Sequence, residues 1–301
     1  MNRNLKKNVI VFGGSGFLGS YMVDELLQRK YNVVVADLEN YGFTDKKIFK
    51  FCDIMDSKRV DELVKSANFV FNFAGLSNLD DASNSPFDTI KLNVMGNINI
   101  LEACKRNNVM RYVYASSAYS LSEKGSFYGI SKLASEKIIE EYNKKYNLEF
   151  SIIRYGSVYG ERKFKNNYIY NLIEEAINKK RIDHSGDGEE TREYIHASDI
   201  AKITADIIKD KKYANKHFIL TGVEKLKRKE LFEMIQEISG KKFKVKFIKK
   251  KSKGYLHYQL TPYSFNPSMS MKLVANPYID LGQGILDCIK EIEEKKTTHF
   301  K

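Results

Sequence analysis

A chain of 301 residues with 43% hydrophobic residues can form one large domain, or one large and one small domain. Its formal net charge of +12 permits nucleic-acid binding, but the densest basic run, Lys241–Lys253, alternates lysines with apolar residues as a half-buried strand does. The sequence has no nucleic-acid-binding motif and no apolar stretch long enough to cross a bilayer, so we expect neither nucleic acid nor membrane as a partner.

The cysteines and the N-terminus indicate the compartment. Cys52, Cys104 and Cys288 are odd in number and far apart, so they predict no metal site and no disulfide framework. The apolar run after Lys7 is interrupted by glycines and lacks a convincing signal-peptide cleavage site. We therefore expect a cytoplasmic protein.

The first predicted element is a buried strand over Asn8–Phe12, followed by a glycine-rich turn and a helical pattern. The turn has the spacing Gly13-x-x-Gly16-x-x-Gly19, in the strand–turn–helix context that a dinucleotide fingerprint requires. Gly13 allows a tight turn, Gly16 lets a pyrophosphate approach the helix N-terminus, and Gly19 lets the helix pack closely on the strand.

The second predicted strand, Asn32–Ala36, ends at Asp37, about where an acidic residue should meet the adenosine ribose. A carboxylate there accepts hydrogen bonds from the ribose hydroxyls and repels a 2′-phosphate. No Arg or Lys adjoins Asp37, so the sequence favours NAD over NADP.

Strands and helices continue to alternate up to residue 160. Apolar runs predict strands that end at Ile54 and span 68–73, 111–115 and 150–154, with long helices over Pro86–Arg106 and Tyr128–Tyr146. This alternation predicts an α/β fold, a Rossmann-type doubly wound parallel sheet with helices on both faces. We assign residues 1–160 to an NAD-binding domain.

The pattern is less regular after Gly160. Helices are predicted over Tyr168–Lys179, Ser198–Lys209 and Lys229–Ser239, a short strand over His217–Leu220, and a frayed tail over Lys290–Lys301. We expect residues 161–301 to form mostly a smaller C-terminal α/β substrate-binding portion, with some segments returning to the large sheet.

Tyr128 and Lys132 are four residues apart, so on a helix they share one face. A lysine ammonium lowers the pKa of a nearby tyrosine, which makes the pair a candidate general base for an alcohol. Ser117, at the end of the preceding apolar run, could hold that alcohol. A surface helix with an unrelated tyrosine is the alternative, because the chain has 19 tyrosines and many lysines.

An ordered set of motifs resembles the extended short-chain dehydrogenase/reductases that act on nucleotide sugars. The matching positions are Gly13-x-x-Gly16-x-x-Gly19, Asp37, Asp53-Ile54, Phe73-Ala-Gly75, Asn93-Val-x-Gly96-Asn, Ser116-Ser117, Tyr128-x-x-x-Lys132, Arg154-Tyr-Gly-Ser-Val-Tyr-Gly160 and Gly186-Asp-Gly-Glu-Glu-Thr-Arg192-Glu-Tyr-Ile-His196-x-x-Asp199.

The resemblance implies roles for these positions. Tyr128 would be the base, Lys132 would lower its pKa and bind the nicotinamide ribose, and Ser117 would hydrogen-bond the reacting hydroxyl. The implied NAD-binding residues are Gly13, Gly16, Phe17, Leu18, Asp37, Leu38, Asp53, Ile54, Phe73, Ala74, Gly75, Asn93, Ala115, Tyr128, Lys132 and Tyr155. The implied substrate-binding residues are Ser77, Ser117, Ala118, Tyr119, Ser157 and Arg192.

Departures from the family pattern narrow the expected reaction. The 4,6-dehydratase branch has Thr-Asp-Glu where this chain has Ser117-Ala118-Tyr119, so the acid and base for water elimination are missing. The epimerase-reductase branch that makes GDP-fucose has Cys at the position of Tyr119. Many relatives have Asn at the position of Ser157, which leaves the preferred sugar and nucleotide open.

We therefore expect oxidation of the 4-hydroxyl of a UDP- or GDP-linked hexose or heptose. The ketone is either re-reduced by a 4-epimerase or released by a 4-dehydrogenase. By resemblance, the enzyme would be a homodimer that serves bacterial surface-polysaccharide or capsule synthesis. A non-catalytic NAD-sensing regulator and a reductase of a non-sugar carbonyl are the alternatives, although Asp37 argues against the NADPH that such reductases usually use.

Overall fold

The computed structural model describes residues 7–248, 271–275 and 278–298. Its strands are β1 (Asn8–Phe12), β2 (Asn32–Asp37), β3 (Phe49–Phe51), β4 (Phe69–Asn72), β5 (Arg111–Ser117), β6 (Phe150–Tyr155), β7 (Ser157–Tyr159), β8 (Arg181–Ser185), β9 (Thr191–His196), β10 (Lys216–Leu220), β11 (Lys225–Lys227), β12 (Lys244–Ile248) and β13 (Met271–Leu273).

Helices follow most of these strands along the chain. They are α1 (Phe17–Gln28), α2 (Ser57–Val64), α3 (Leu79–Asn84), α4 (Pro86–Ile90), α5 (Asn97–Arg106), α6 (Ser126–Tyr146), α7 (Tyr168–Lys179), α8 (Ala197–Ile207), α9 (Arg228–Ser239) and α10 (Leu281–Thr298). Among the described residues, no helix is long and apolar enough to cross a membrane.

Eight parallel strands form the main sheet, in the order β13-β10-β6-β5-β4-β1-β2-β3. Side chains of β1 alternate between its two faces, with Ile10 and Phe12 in one core and Val9 and Val11 in the other. Both faces are therefore buried under helices, as a parallel sheet requires, and the expected doubly wound fold is confirmed.

The later half of the chain contributes to both parts of the molecule. β10 and β13 extend the main sheet, whereas β7, β9 and β11 form a three-stranded sheet and β8 pairs with β12. A separate core of α7, α9 and α10 residues supports these two small sheets. Only the first part of the basic run Lys241–Lys253 is described, and its strand is β12; residues 249–253 lie outside the described residues.

Three predicted elements differ from the structure. The strand predicted to end at Ile54 is β3, which ends at Phe51, and Ile54 lies in the turn that follows it. The predicted helix over Pro86–Arg106 is interrupted by a π-helix at Lys91–Gly96. The predicted frayed tail over Lys290–Lys301 is wrong as far as Thr298, because α10 continues to that residue; residues 299–301 lie outside the described residues. Helix α10 buries Ile285, Cys288 and Ile292 in the core that it forms with α7 and α9, and this packing stabilises the helix.

Candidate active site

The predicted site residues converge because parallel strands place all their carboxyl ends at one edge of the sheet. Gly13 follows β1, Asp37 ends β2, Phe73 follows β4, and Ser117 and Tyr155 end β5 and β6. Ser117 and Tyr155 are direct neighbours in the register of β5 and β6. Motifs separated by up to 140 residues in the chain thus share one edge.

The glycine turn after β1 requires its glycines for steric reasons. Gly13 has φ +71°, and a Cβ atom there would lie 2.5 Å from the backbone nitrogen of Ala74. A Cβ atom at Gly19 would lie 2.1 Å from the carbonyl oxygen of Gly13. Helix α1 begins after Gly16 without a side-chain cap. Its first-turn amides, which include Phe17 and Leu18, are the donors that an anion binds at a helix N-terminus.

Asp37 lies next to this turn. One carboxylate oxygen accepts from the Ser15 amide at 3.1 Å and the other from the Leu38 amide at 2.9 Å. Burial raises the pKa of Asp37, and these amides act in the opposite direction. The turn and the end of β2 are thus fixed together, with a hydrogen-bond acceptor where the ribose is expected.

Asp53 and Ile54 follow β3, one strand further along the edge. Asp53 accepts from the Met55 amide at 2.9 Å, and the Asn99 side chain donates to the carbonyl of Ile54 at 2.9 Å. A Cβ atom at Gly96 would lie 2.5 Å from the Ile54 side chain, so Gly96 allows the π-helix to pack against it. This packing holds the loop beside the end of β2.

The loop that follows β4 begins with Phe73, Ala74 and Gly75, which we call the floor. Strand β4 lies between β1 and β5 in the sheet. The ring of Phe73 stacks on that of Tyr155, with centroids 6.2 Å apart. Gly75 has φ +130°, and a Cβ atom there would lie 2.3 Å from the side-chain oxygen of Asn93. The absence of a side chain at Gly75 thus lets this loop approach Asn93 closely at the edge of the sheet.

Asn93 stabilises the loop after β4 by hydrogen bonds from the side of the π-helix. Its side chain accepts from the Leu76 amide at 2.8 Å and donates to the Leu76 carbonyl at 3.1 Å and to the Ser131 hydroxyl at 2.9 Å. The π-helix places this residue between the loop and α6. The structure therefore gives Asn93 a positioning role, while its predicted contact with the cofactor stays a prediction.

Glycines also bring α6 against the turn that follows Ser117. Gly125 precedes the helix with φ +98°. A Cβ atom at Gly129 would lie 2.7 Å from the carbonyl oxygen of Tyr119. The rings of Tyr119 and Tyr128 consequently meet edge to face, with centroids 6.2 Å apart.

Lys132 is buried one helical turn after Tyr128. Its ammonium donates to the carbonyl of Ala115 at 2.8 Å and lies 5.8 Å from the centre of the Tyr128 ring. Burial lowers the pKa of Lys132 to about 8, although the Glu136 carboxylate acts in the opposite direction. The structure thus brings the predicted lysine and tyrosine together at the end of β5.

Ser117 ends β5 and begins the short 3₁₀ turn over Ala118–Leu121. Its hydroxyl accepts from the Tyr119 amide at 3.3 Å, and its side chain is almost fully buried. Buried Ala118 follows it directly. The triad that the sequence predicts therefore shares one small region of the edge.

A buried ion pair behind this region was not predicted from the sequence. Arg154 holds both carboxylate oxygens of Glu136, at 2.6 Å from Nη2 and 3.0 Å from Nε. The hydroxyls of Ser116 and Ser120 also donate to Glu136. The only signal in the sequence is that Glu136 follows Lys132 by four residues and so lies on the same face of the helix.

The predicted substrate residues are divided between the two parts of the molecule. Ser77 lies in the loop after β4 and receives a hydrogen bond from Asn166 at 3.1 Å. In the three-stranded sheet, Ser157 on β7 pairs with Tyr194 on β9. Buried Arg192 lies two residues before Tyr194 on the same strand. Arg192 thus belongs to the smaller portion, and its predicted contact with the substrate stays a prediction.

With this geometry in place, comparison with known proteins identifies the family. The family model for the NAD dependent epimerase/dehydratase family matches residues 9–220. The chain belongs to this family. It is therefore an NAD-dependent enzyme of the nucleotide-sugar epimerase/dehydratase type, as the sequence predicts.

Two curated relatives are similar to this chain over most of their own length. The chain is 31% identical to a putative UDP-glucose 4-epimerase of Methanocaldococcus jannaschii over 217 residues, which is 64% of this chain and 71% of the relative. It is 24% identical to the uncharacterized UDP-glucose epimerase YtcB of Bacillus subtilis, over 88% of this chain and 94% of that protein.

Solved structures show the same fold. The UDP-glucose 4-epimerase of Thermus thermophilus, in complex with NAD, has a TM-score of 0.80 at 23% identity, covering 95% of this chain and 99% of that one. The UDP-glucuronic acid 4-epimerase of Bacillus cereus, with UDP-glucuronic acid and NAD, has a TM-score of 0.83 at 21% identity, covering 96% and 99%.

The residues present fit the family's cofactor. The turn at Gly13 and Gly16 leaves an uncapped helix N-terminus for a diphosphate, and Asp37 supplies a carboxylate for a ribose without a 2′-phosphate. When bound, NAD supplies the acceptor for two electrons. The structure places these groups and Lys132 along one edge of the sheet.

Proposed function

We propose that this protein is a UDP-sugar 4-epimerase that oxidises the sugar 4-hydroxyl and re-reduces the ketone on its other face. The observation that carries this proposal is the approach of buried Lys132 to Tyr128 beside Ser117 at the end of β5. This arrangement supplies a base and a hydrogen-bonding group for an alcohol. The names of the relatives support the epimerase outcome and UDP.

Each residue of the triad has a separate role in this proposal. Tyr128 removes the hydroxyl proton while the carbon loses a hydride, for which bound NAD would be the acceptor, and Tyr128 returns the proton when the hydride returns to the same carbon. The ammonium of Lys132 stabilises the tyrosinate, and the Ala115 carbonyl fixes the position of that ammonium. Ser117 holds the reacting oxygen in line, which contributes through orientation.

The structure around Ser117 supports epimerisation over dehydration. Elimination of water requires an acid and a base next to the serine, and those positions are Ala118 and Tyr119. Ala118 is buried, and the ring of Tyr119 packs edge to face on Tyr128. Neither side chain is a carboxyl group that could exchange the required protons.

Arg192 is the proposed partner of the substrate diphosphate. Its guanidinium is buried on β9, and one nitrogen donates to the Thr191 carbonyl at 2.9 Å. A guanidinium suits a diphosphate because it can make paired hydrogen bonds. The identity of the sugar and a role in bacterial surface polysaccharide stay predictions, as does GDP as the alternative nucleotide.

We also propose a homodimer formed through α4, the π-helix and α6. These elements pack together and carry exposed apolar side chains, such as Phe87 (77% exposed) and Ile130 (60% exposed). The same elements also expose Ile90, Met95, Phe127 and Leu133. Exposed apolar side chains gathered on elements that pack together are typical of a protein interface.

The proposal is tested by incubating the enzyme with UDP-glucose, UDP-glucuronic acid and UDP-N-acetylglucosamine and analysing each product by mass and chromatography. We expect an isomer of unchanged mass for at least one sugar. In Tyr128→Phe we expect turnover to fall by about 10² to 10⁴, the usual contribution of a general base. Tyr146→Phe removes a hydroxyl from an exposed position on the same helix and should retain full activity.

Other outcomes would contradict the proposal. A product lighter by two hydrogens, with reduced cofactor accumulating, would show a dehydrogenase. Reaction with GDP-sugars alone would correct the nucleotide. Binding of NAD without change in any sugar would favour the regulator, and full activity in Tyr128→Phe would exclude Tyr128 as the base.

A further inference from the structure

The segment Glu161–Asn167, which we call the strap, crosses the edge of the sheet where the cofactor residues lie. It follows β7 and precedes α7. Its contacts show that it connects elements on opposite sides of the glycine turn.

The strap first contacts a cluster of aromatic rings, which we call the aromatic anchor. The ring of Phe164 lies 5.9 Å from that of Phe17, 5.6 Å from Tyr41 and 5.4 Å from Phe43. Phe17 begins α1, directly after the glycine turn, and Tyr41 and Phe43 belong to the loop that follows Asp37. The anchor thus contacts both segments that are expected to hold the adenosine half of NAD.

The strap also makes polar contacts with the loop after β4 and with α3, which we call the polar anchor. The Lys165 ammonium lies 2.7 Å from the Asp81 carboxylate, and the Asn166 side chain donates to the Ser77 hydroxyl at 3.1 Å. Ser77 follows the Phe73–Gly75 floor. The strap therefore spans from the start of α1 to the loop after β4, the two elements that flank the cofactor cleft.

The base of the strap is firmly held. The Tyr21 hydroxyl donates to the Glu161 carboxylate at 2.5 Å and accepts from the Glu161 amide at 2.9 Å. The side chain of buried Asn167 donates to the carbonyls of Gly160 and Arg162, at 2.7 and 2.8 Å. These contacts fix both ends of the strap, so a change in its position must occur near Phe164 and Lys165.

The aromatic anchor is suited to opening and closing. Phe164 and Phe43 are only partly buried, and Tyr41 is 51% exposed. Phe164 packs against the small cluster of Phe17, Tyr21, Ala197 and Ala201, and none of the three partly exposed rings belongs to the two cores of the main sheet. The Lys165–Asp81 pair is exposed on both sides, and such pairs contribute little because water screens them. The aromatic contacts should therefore dominate the closed position of the strap.

We propose that the strap retains the reduced cofactor between the two half-reactions, and that Phe164 is the residue on which retention depends. This inference rests on the proposed epimerase function. The sugar loses a hydride and a hydroxyl proton in the first step and regains both in the second, so no external oxidant is consumed. If the reduced cofactor left between the steps, the ketone would be released as in a dehydrogenase.

The test measures dissociation of reduced cofactor without any sugar. The native enzyme and variants are loaded with NADH and mixed with excess NAD⁺ in a stopped-flow instrument, and the loss of NADH fluorescence gives the release rate. We expect Phe164→Ala to release NADH about tenfold faster, because loss of aromatic contacts acts mainly on the dissociation rate. Lys165→Ala should change the rate by less than about fivefold, since its ion pair is exposed.

Two further variants complete the design. Tyr146→Ala removes an exposed ring from the C-terminal end of α6, and we expect the native release rate. The chain contains no tryptophan, so Phe164→Trp introduces a single indole at the aromatic anchor. We expect near-native release, and quenching of the indole emission by energy transfer when NADH binds.

The outcomes separate this inference from the proposed function. NADH binding with an unchanged release rate in Phe164→Ala, or indole emission unaffected by NADH, would overturn the strap and leave the epimerase proposal intact. Failure of the native enzyme to bind NADH would overturn both. With an active UDP-sugar, Phe164→Ala should also accumulate free NADH and ketone that the native enzyme does not release.

Discussion

At the scale of single residues, the site depends on a lysine in an unfavourable environment. Lys132 is buried, and burial lowers its pKa to about 8 from the usual value near 10.5. Its ammonium donates to one backbone carbonyl and lies over the rings of Tyr114 and Tyr128. A cation held in this way is available to stabilise a tyrosinate, but the folded protein is destabilised by its presence.

This cost predicts a pH dependence of stability. Between about pH 8 and 10.5 the folded protein holds fewer protons on Lys132 than the unfolded chain does, so the contribution of this residue to the unfolding free energy rises with pH. Relative to Lys132→Met, the native apo protein should therefore gain up to about 3 kcal/mol between pH 7 and 10.5. Urea unfolding of both proteins at the two pH values measures this change, and a constant difference would contradict it.

At the scale of elements, helix α6, which carries Tyr128 and Lys132, is positioned by buried polar contacts. The Glu136–Arg154 pair joins α6 to β6, and the Ser116 and Ser120 hydroxyls join the same carboxylate to β5 and the 3₁₀ turn. His217 on β10 also faces this pair, with Nδ1 3.7 Å from Glu136 and Nε2 2.9 Å from Glu140. Burial lowers the pKa of His217. The elements that deliver Ser117 and Lys132 thus share one network.

Breaking this pair should be costly because the remaining charge stays buried. We expect Glu136→Gln and Arg154→Met each to lower the unfolding free energy by about 3 to 5 kcal/mol. The double variant should lose clearly less than the sum of the single losses. Urea denaturation measures all three, with Glu141→Gln as the control, because the Glu141–Lys144 pair on the same helix is exposed. Additive losses would show that the two residues act independently.

At the scale of the whole molecule, two surfaces of α6 have different tasks. One face, with Tyr128 and Lys132, closes the site at the sheet edge. The opposite face presents Phe127, Ile130 and Leu133 to solvent beside α4. A dimer through this face would bury apolar surface and hold α6 from the side opposite Tyr128 and Lys132.

The dimer proposal is tested by placing a charge in the apolar face. We expect the native protein to sediment as a dimer and Ile130→Asp to sediment as a folded monomer, because a buried unpaired carboxylate opposes association. Leu27→Asp makes the same kind of change at an exposed apolar residue on α1, outside this face, and should leave the mass unchanged. A native monomer, or a dimer that persists in Ile130→Asp, would refute the interface.

Features that depend on neighbouring residues were readable from the sequence. The turn at Gly13, Gly16 and Gly19 and the pair Tyr128 and Lys132 follow from backbone sterics and helical periodicity, which act over a few residues. Alternating strands and helices predicted the parallel sheet, and that sheet brings distant motifs to one edge. The family, its cofactor and the residues at the carboxyl edge of the sheet were predicted from these local patterns and from the family resemblance that they carry.

The tertiary structure alone decided what pairs with these residues. Glu136 and Arg154 are 18 residues apart, Phe164 and Phe17 are 147 apart, and nothing in their local sequence marks them as partners. The helix to Thr298 and the π-helix that carries Asn93 likewise form because neighbouring elements bury one side of them. Local sequence specifies backbone conformation and facing direction, whereas the burial and charge partner of a side chain depend on contacts that only the folded chain creates.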